Sequence, residues 1–544
     1  MRNKVLEKLQ GTLVELNFPT DTVIIQNSKN PDHGDFSSNI AMILSGKLKQ
    51  PPQKIADEII QKLFELNSDN FFSNVEKAGP GFINFKLNKN LFHGKLLHVL
   101  KSDTEFGKSS IGKGKSANVE FVSANPTGPL TVGHGRGAML GDTVANILEW
   151  NGYKVQREYY FNNAGRQMRV LGQSVYSRYL KTCGQDLKFD DEFYQGEYIK
   201  EIAELIFNEF GDSLMSDQNP DYFKDKAEKF IFEDIKSSLK KLGLEFDHFY
   251  NEQELYNSGK IQHILDELDS NGLIYQKDDA TWFKGTQIGR DVDKVLVKKT
   301  GEPTYRLPDM AYHKTKFERG FDLCIDVFGA DHIDTYPDVL AVIDQLGYDS
   351  NKVKVLIHQF VTIMKNGEQV KMSTRKANFV TLDELIDEVG ADVVRYFFIM
   401  RGMSTHLNFD LDIAKDQSDN NPVFYLQYAH ARMCNIINRA KGFGHTINLK
   451  ADLGLLKEDE EQQLINQLLK LPELIEKCSI QLEPQLIVNF LHEFASKFHK
   501  YYAHFKVITD DKKLTDARLI LIKAIQIAMR NGLTLIGINA PERM

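Results

Sequence analysis

The chain has 544 residues, 42% of them hydrophobic, which is enough apolar material for roughly three or four cores of ordinary domain size. A formal net charge of −8 counts against nucleic-acid binding through charge spread over the whole surface and leaves room for a local basic stripe. No run approaches the ~20 apolar residues of a membrane helix, and the four scattered cysteines, Cys183, Cys324, Cys434 and Cys478, form neither a disulfide framework nor a paired-cysteine zinc ribbon. The opening MRNKVLEKLQGTLVELNF carries no apolar signal core. The expectation is a cytoplasmic protein that makes no membrane contact and buries most of its cysteines as small hydrophobes.

Residues 1–112 alternate helix-like segments with short strands. NPDHGDFSSNIAMILSGKLKQPPQKIADEII places a Gly34-Asp35 turn before an amphipathic helix and Pro51-Pro52 before another, and KAGPGFINFKL reads as a turn and a strand. The Gly-, Ser- and Lys-rich residues 107–117 read as a linker. From Asn118 the pattern becomes α/β: ANVEFVSA is a strand, AMLGDTVANILEWNGY a helix and KVQREYYF a second strand, and DLCIDVFGA and VKVLIHQFV continue the series. Residues from about 170 to 290 are more charged and mostly helical, as an insertion would be. Beyond about Asp412 the strand signals give way to long amphipathic helices. The predicted fold class is α/β, with three domains. A doubly wound parallel (Rossmann-type) catalytic domain at 113–411 carries the insertion, an α+β N-terminal domain lies at 1–112, and an all-α C-terminal helix bundle lies at 412–544. No tandem repeat or low-complexity tract interrupts it.

The densest punctuation is ANPTGPLTVGHGRGAML, residues 124–140. Gly133, Gly135 and Ala138 satisfy the G-x-G-x-x-A spacing of a dinucleotide fingerprint, and Glu158 follows about 20 residues on. The context differs, because six residues separate the first strand from Thr131, whereas the fingerprint turns directly off its strand. Glycines at 133, 135 and 137 near a helix start would let backbone N–H groups approach a phosphate, with His134 donating to charge at an α-phosphate. The bland alternatives are glycines for close helix packing and an ordinary capping histidine. Far downstream, VKMSTRKANFVTL sets Lys371, Ser373, Arg375 and Lys376 within six residues. That cluster is suited to neutralising a departing pyrophosphate, although a charge cluster is more often a solvated face.

The Thr131–His134 segment and the Lys371-Met372-Ser373 triplet resemble the two signatures of class I aminoacyl-tRNA synthetases. EFVSANPTGPLTVGHGRGAMLGD, YYFNNAGRQM, PTYRLPDMAYH, FGADHIDTYP, FYLQYAHARM and the final GINAPERM resemble arginyl-tRNA synthetases in particular, and NPDHGDFSSNIAM resembles that family's additional N-terminal domain. Three positions depart from the family pattern: Thr131 replaces a signature histidine, Thr374 a signature lysine, and Asn163 a frequent aspartate.

The resemblance implies ATP-dependent activation of arginine to arginyl-adenylate, with Mg2+ on the phosphates, followed by transfer to a terminal ribose hydroxyl of the cognate tRNA. It implies catalytic roles for His134, Lys371, Ser373 and Arg375, and ATP contacts from Pro126, Thr131, Gly133, His134, Gly135, Gly137, Asp331, His332 and Met372. Arginine falls to Glu120, Ser123, Asn125, His134, Tyr305 and Asp309, with Asp309 forming a forked pair to the guanidinium. For tRNA it implies Gln167, Tyr428, Arg432 and Met544, and Tyr501 and Tyr502 are a further aromatic pair at core-like spacing. Neither a protein-bound metal nor zinc is expected, and the family is mostly monomeric. Two other readings stay open here: a nicotinamide-dependent oxidoreductase, and a non-catalytic tRNA-binding relative of a synthetase.

Overall fold

A computed structural model describes residues 1–28, 33–185, 187–216, 220–370 and 381–544. They form two compact units, one of Met1–Asp103, Ile436–Leu469 and Lys500–Ile527, the other of Thr104–Asn435, Lys470–His499 and Ala528–Met544. Chain order begins with α1 (Arg2–Glu15), β1 (Gln26–Asn27), β2 (Phe36–Ser38), α2 (Ile40–Leu48), α3 (Pro52–Glu65), β3 (Phe72–Ala78), β4 (Phe82–Leu87) and α4 (Lys89–Ser102). The four strands pair antiparallel in the order β1-β2-β4-β3, so the N-terminal region is α+β. The Gly34-Asp35 turn leads into β2, and α2 begins only after that strand. Gly34 has φ +78°, and a Cβ there would sit 2.6 Å from the Phe85 carbonyl oxygen, so the approach to β4 needs glycine.

The second unit holds β5 (Ser116–Glu120), α5 (Val132–Trp150), β6 (Lys154–Phe161), α6 (Gly165–Thr182), α7 (Glu197–Phe210), α8 (Pro220–Lys241) and β7 (His248–Asn251). Next come α9 (Gln253–Asn257), α10 (Lys260–Ser270), β8 (Ile274–Lys277), β9 (Ala280–Phe283), β10 (Lys294–Val297), α11 (Arg306–Glu318), β11 (Leu323–Gly329), α12 (Tyr336–Gln345) and β12 (Val353–His358). Then follow β13 (Val361–Lys365), β14 (Glu368–Gln369), α13 (Leu382–Val389), α14 (Ala391–Ile399), β15 (Leu407–Asp410) and α15 (Leu411–Lys415). The central sheet has the order β12-β11-β5-β6-β7, every pair parallel, which is a doubly wound arrangement with its order reversing at β5. In that arrangement ligands gather beyond the carboxyl ends of β5 and β11.

Two sequence expectations need correction. Residues 170–290 are not all insertion, because β7 is the edge strand of the main sheet, where the aromatic HFYN pairs with β6 at Tyr160↔Tyr250, and β8–β10 form a separate antiparallel sheet. The helix expected from Ala138 begins six residues earlier, at Val132, so Gly133, Gly135 and Gly137 lie inside its first two turns. The Gly-rich residues 107–117 are pinned onto the end of α5, with Ser109 N–H donating to the Trp150 carbonyl (2.9 Å) and Gly112 N–H to that of Asn151 (2.8 Å).

The C-terminal helices are α16 (Pro422–Gly442), α17 (Asp459–Leu468), α18 (Leu471–Gln481), α19 (Gln485–His504) and α20 (Lys512–Leu535). Within the first unit, buried Glu461 accepts from Arg518 Nε (2.8 Å) and Tyr501 Oη (3.3 Å). Tyr501 is fully buried, so its ring belongs to the core and is not presented for stacking. Cys324, Cys434 and Cys478 are buried, and none of the four thiols is in a disulfide.

Candidate active site

Helix α5 starts at a reciprocal contact. Thr131, in extended backbone, donates its N–H to His134 Nδ1 at 3.1 Å, and its hydroxyl lies 3.3 Å from the same nitrogen. Because a backbone N–H only donates, Nδ1 must accept, which leaves the proton of the neutral ring on Nε2. Burial lowers the His134 pKa, with the Asp331 charge pulling the other way. The helix therefore opens with a neutral imidazole, an Nε2–H donor, and the first-turn N–H groups that no intrahelical acceptor can reach.

The glycines divide by function. A Cβ on exposed Gly133 would meet only the Thr131 hydroxyl, at 3.6 Å, so this position leaves room over the helix start. Gly135 is different: a Cβ there would lie 2.6 Å from Leu382 Cδ1 and 2.9 Å from Phe398 Cε2, and its N–H donates to the Thr131 carbonyl. At Gly137 the same test finds His358 Nε2 at 3.0 Å. Gly135 and Gly137 are thus glycines because α13, α14 and β12 pack close. Pro126 is also buried.

Asp331 and His332 lie in the short turn Ala330–His332 directly off the end of β11, both exposed, with the His332 ring stacked on Phe328. The residues Lys371, Met372, Ser373, Thr374, Arg375 and Lys376 lie outside the described residues. The chain on their far side returns to the start of α5, where Thr381 bridges Thr131 and Leu382 N–H donates to the Leu130 carbonyl at 2.8 Å.

The amino-acid side of the site is built from charges. Directly after β5, Val122 (φ +68°) and Ser123 (φ +43°) both adopt the left-handed region, a strained pair for side chains of this kind and held by their neighbours. Ser123 Oγ donates to Glu120 Oε1 (3.0 Å) and accepts from Tyr160 N–H (3.2 Å), while Tyr159 Oη donates to the Ala124 carbonyl (2.8 Å). Asn125 accepts from Asn162 N–H (3.0 Å) and donates to Gln167 Oε1 (3.1 Å). Gln167, expected at the tRNA, thus stands beside the amino-acid residues. Asn163 donates to Glu228 at 2.8 Å.

Asp309 lies in the first turn of α11, and Tyr305 at its cap is 72% exposed. Burial, together with the Glu120 and Glu252 carboxylates and against the His313 and Lys316 cations, pushes the Asp309 carboxyl up to about 7. Glu252 follows β7, accepts from Tyr160 Oη (2.8 Å) and Asn162 Nδ2 (2.7 Å), and is itself raised by burial despite those bonds. Glu120, Asp309 and Glu252 make an acidic pocket in which the Glu120 and Glu252 charges both bear on Asp309, and a cationic side chain brought among them relieves that repulsion. Glu252, Tyr160 and Asn162 escaped sequence reasoning because Glu252 stands about 90 residues from the other two in the chain.

Beneath the pocket, one face of α11 and its capping residue present Tyr312, His313, Lys316 and Arg319 to the sheet. Lys316 Nζ contacts Glu120 Oε2 at 2.6 Å, and Arg319 grips Glu158 with both terminal nitrogens. Tyr312 Oη donates to Glu158 at 2.5 Å and His248 Nδ1 lies 2.8 Å from it. Burial alone would raise the Glu158 carboxyl, but the Arg319 bonds and the Lys316 charge hold it down at about 2. Glu158 is fully committed to these partners, which removes the acid that a dinucleotide ribose would need.

Three family descriptions match in sequence: the arginyl tRNA synthetase N terminal domain over residues 1–87, the catalytic domain of class I (R) tRNA synthetases over 95–396, and the DALR anticodon binding domain over 426–544. An arginine–tRNA ligase of Desulfotalea psychrophila is 49% identical over 96% of this chain and 94% of its own. One from Chlorobaculum tepidum is 48% identical over all of both chains. The chain belongs to the arginyl-tRNA synthetase family. The fold agrees with the arginyl-tRNA synthetase of Thermus thermophilus, with a TM-score of 0.76 at 20% identity over all of both chains.

Further along the synthetase chain, α16 carries Phe424, Tyr425, Tyr428 and Arg432. Tyr425 stacks on His492, Tyr428 on Phe424 and His499, and the Arg432 guanidinium lies over the Tyr428 ring while donating to its hydroxyl. His430 is buried with its Nδ1 2.9 Å from the Pro541 carbonyl, which ties the chain end to α16, and Met544 is 52% exposed. Among the described residues no cluster of His, Cys, Asp and Glu suited to a metal ion occurs, and no helix is long and apolar enough to cross a membrane.

Proposed function

We propose that this synthetase activates L-arginine with ATP and transfers it to the 3′-terminal ribose of its cognate tRNA. The observation that carries this reading is the acidic pocket of Glu120, Asp309 and Glu252 at the carboxyl edge of the sheet, beside a helix start that offers a neutral Nε2–H donor. Five N–H donors and no acceptor make a guanidinium the natural occupant of such a pocket, with Asp309 taking its forked edge and Tyr305 covering it. Ser123 and Asn125 position the backbone end of the amino acid. Carboxylates that go unpaired with a neutral ligand reject it by ~10⁴ or more, so recognition needs no editing site.

In the first step the arginine carboxylate oxygen attacks the α-phosphorus of ATP, that bond forms as the bond to the bridging oxygen breaks, and pyrophosphate leaves. His134 donates from Nε2 to charge developing on the phosphate, and the open surface at Gly133 admits it to the first-turn N–H groups. Thr131 replaces the usual histidine and keeps His134 in its donor tautomer. Asp331 and His332 face the nucleoside end. Lys371 and Arg375, with Met372 and Ser373 between them in sequence, would hold the leaving pyrophosphate, whose negative charge a bound Mg2+ would also help to neutralise. In the second step the terminal ribose hydroxyl attacks the arginyl carbonyl and AMP leaves.

The tRNA contacts fall to Arg432 and Tyr428 on α16 and to the Met544 end, with residues 412–544 meeting the anticodon, residues 1–112 the elbow and residues 113–411 catalysing. The enzyme works in the cytoplasm as a monomer. Aminoacylation of purified tRNA with each of the twenty amino acids tests the reading. Arginine alone should be charged, and charging of another amino acid in its place would overturn the assignment.

A further inference from the structure

Asp326 on β11, Glu120 on β5 and Glu158 on β6 are register partners across three neighbouring parallel strands. Strands lie about 4.8 Å apart, so this is a row of like charges through the middle of a buried sheet. Glu158 is matched by Arg319. The other two share one cation: Lys316, fully buried, lies 2.6 Å from Glu120 Oε2 and 2.5 Å from Asp326 Oδ1, with its Nζ 4.5 Å from the centre of the Tyr312 ring. The remaining Asp326 oxygen lies 2.9 Å from His313 Nε2, and His313 Nδ1 lies 2.8 Å from the carbonyl oxygen of Asp309. A carbonyl only accepts, so Nδ1 donates. Facing a carboxylate, Nε2 donates as well, which makes His313 an imidazolium.

The result is a closed polar chain of two cations and two anions, His313–Asp326–Lys316–Glu120. It begins at the backbone of Asp309 and ends on the carboxylate of Glu120, the two acids placed on the substrate. Burying such charges costs several kcal/mol per ion, and apolar residues of similar volume are often as stabilising. Stability alone does not account for four of them in one strand-and-helix contact.

We propose that Lys316, with Asp326 and His313 behind it, is a positioning residue for amino-acid recognition: it fixes Glu120 relative to Asp309 so that both carboxylates meet one guanidinium-bearing substrate. This inference rests on the arginine pocket proposed above. Neither Lys316 nor Asp326 touches the substrate, and the ATP side of the site on α5 does not depend on them.

The test uses the full-length enzyme with tRNA present, and measures the KM for arginine and the KM for ATP separately by ATP–pyrophosphate exchange. Lys316→Met removes the shared cation. The double variant Lys316→Met/Asp326→Asn removes one charge of each sign, so its net charge is that of the wild type and it supplies a folded reading if the single variant unfolds. The expected result in protein that still melts cooperatively is an arginine KM raised about tenfold or more, with the ATP KM unchanged within about twofold. Asp326→Asn alone, which leaves Lys316 on Glu120, should give the smaller rise. An arginine KM unchanged in the folded variants, or arginine and ATP KM values rising by the same factor, overturns the positioning role. Absence of arginine-dependent exchange in the wild type would instead overturn the arginine pocket itself.

Discussion

The two walls of the site are built on different plans. At the start of α5 the chemistry is local: one turn supplies the N–H groups, Thr131 orients His134, and Gly133 keeps the approach open. At α11 it is assembled, with carboxylates from β5, β6 and β11 compensated by cations spaced along one helix face and Glu252 after β7 held by Tyr160 and Asn162. The first wall suits a ligand recognised by its phosphates through backbone dipoles. The second suits a ligand recognised by one positive side chain. A local wall fails one residue at a time, whereas an assembled wall fails through the geometry of its partners.

The largest separation of the two should come from His134→Ala, which is expected to slow adenylate formation by ~10²–10³ with tRNA binding little changed. Equal losses in adenylate formation and tRNA binding would make His134 a structural residue. At the assembled wall, Asp309→Asn is expected to raise the arginine KM by about thirtyfold, or ~2 kcal/mol, leaving the ATP KM alone.

The same residue sets a pH dependence. Asp309 is neutral below about 7 and anionic above it, and a guanidinium prefers the anion, so kcat/KM for arginine should rise with pH between about 6 and 8. Burial lowers the His134 pKa, which favours the neutral ring. A profile in Asp309→Asn as steep as in the wild type would assign the titration elsewhere.

The smallest effects concern the glycines. Gly135→Ala drives a methyl group into Leu382 and Phe398 and should cost ~1–3 kcal/mol of stability, read as a lower melting temperature. Gly133→Ala, open to solvent, should change stability by no more than ~0.5 kcal/mol while weakening ATP. Equal melting temperatures for the two variants would remove the distinction drawn between them.

The local wall was legible because its residues are contiguous: glycine spacing, a histidine and two prolines within 17 residues, 124–140, are visible without a fold. Even there the helix start was misplaced, since glycine propensity argues against a helix and only packing at Gly135 and Gly137 explains one. The parallel sheet and the helical C-terminal region followed from apolar period alone. The assembled wall was half legible. Glu120 and Asp309 came through family resemblance, while Glu252 and the chain behind Glu120 did not. The usable signal was the spacing Asp309, Tyr312, His313, Lys316, Arg319, which puts five polar residues on one helix face. Such a stripe is ordinarily solvated, but here Tyr312, His313 and Lys316 are buried against Glu158, Asp326 and Glu120.

The most direct measurement compares arginine with citrulline, which replaces the guanidinium by an uncharged urea of nearly the same shape, in tRNA-supported ATP–pyrophosphate exchange by the wild-type enzyme. An acidic pocket of Glu120, Asp309 and Glu252 predicts a kcat/KM for arginine at least ~10⁴ higher. Citrulline activated within about tenfold of arginine would contradict charge as the basis of recognition.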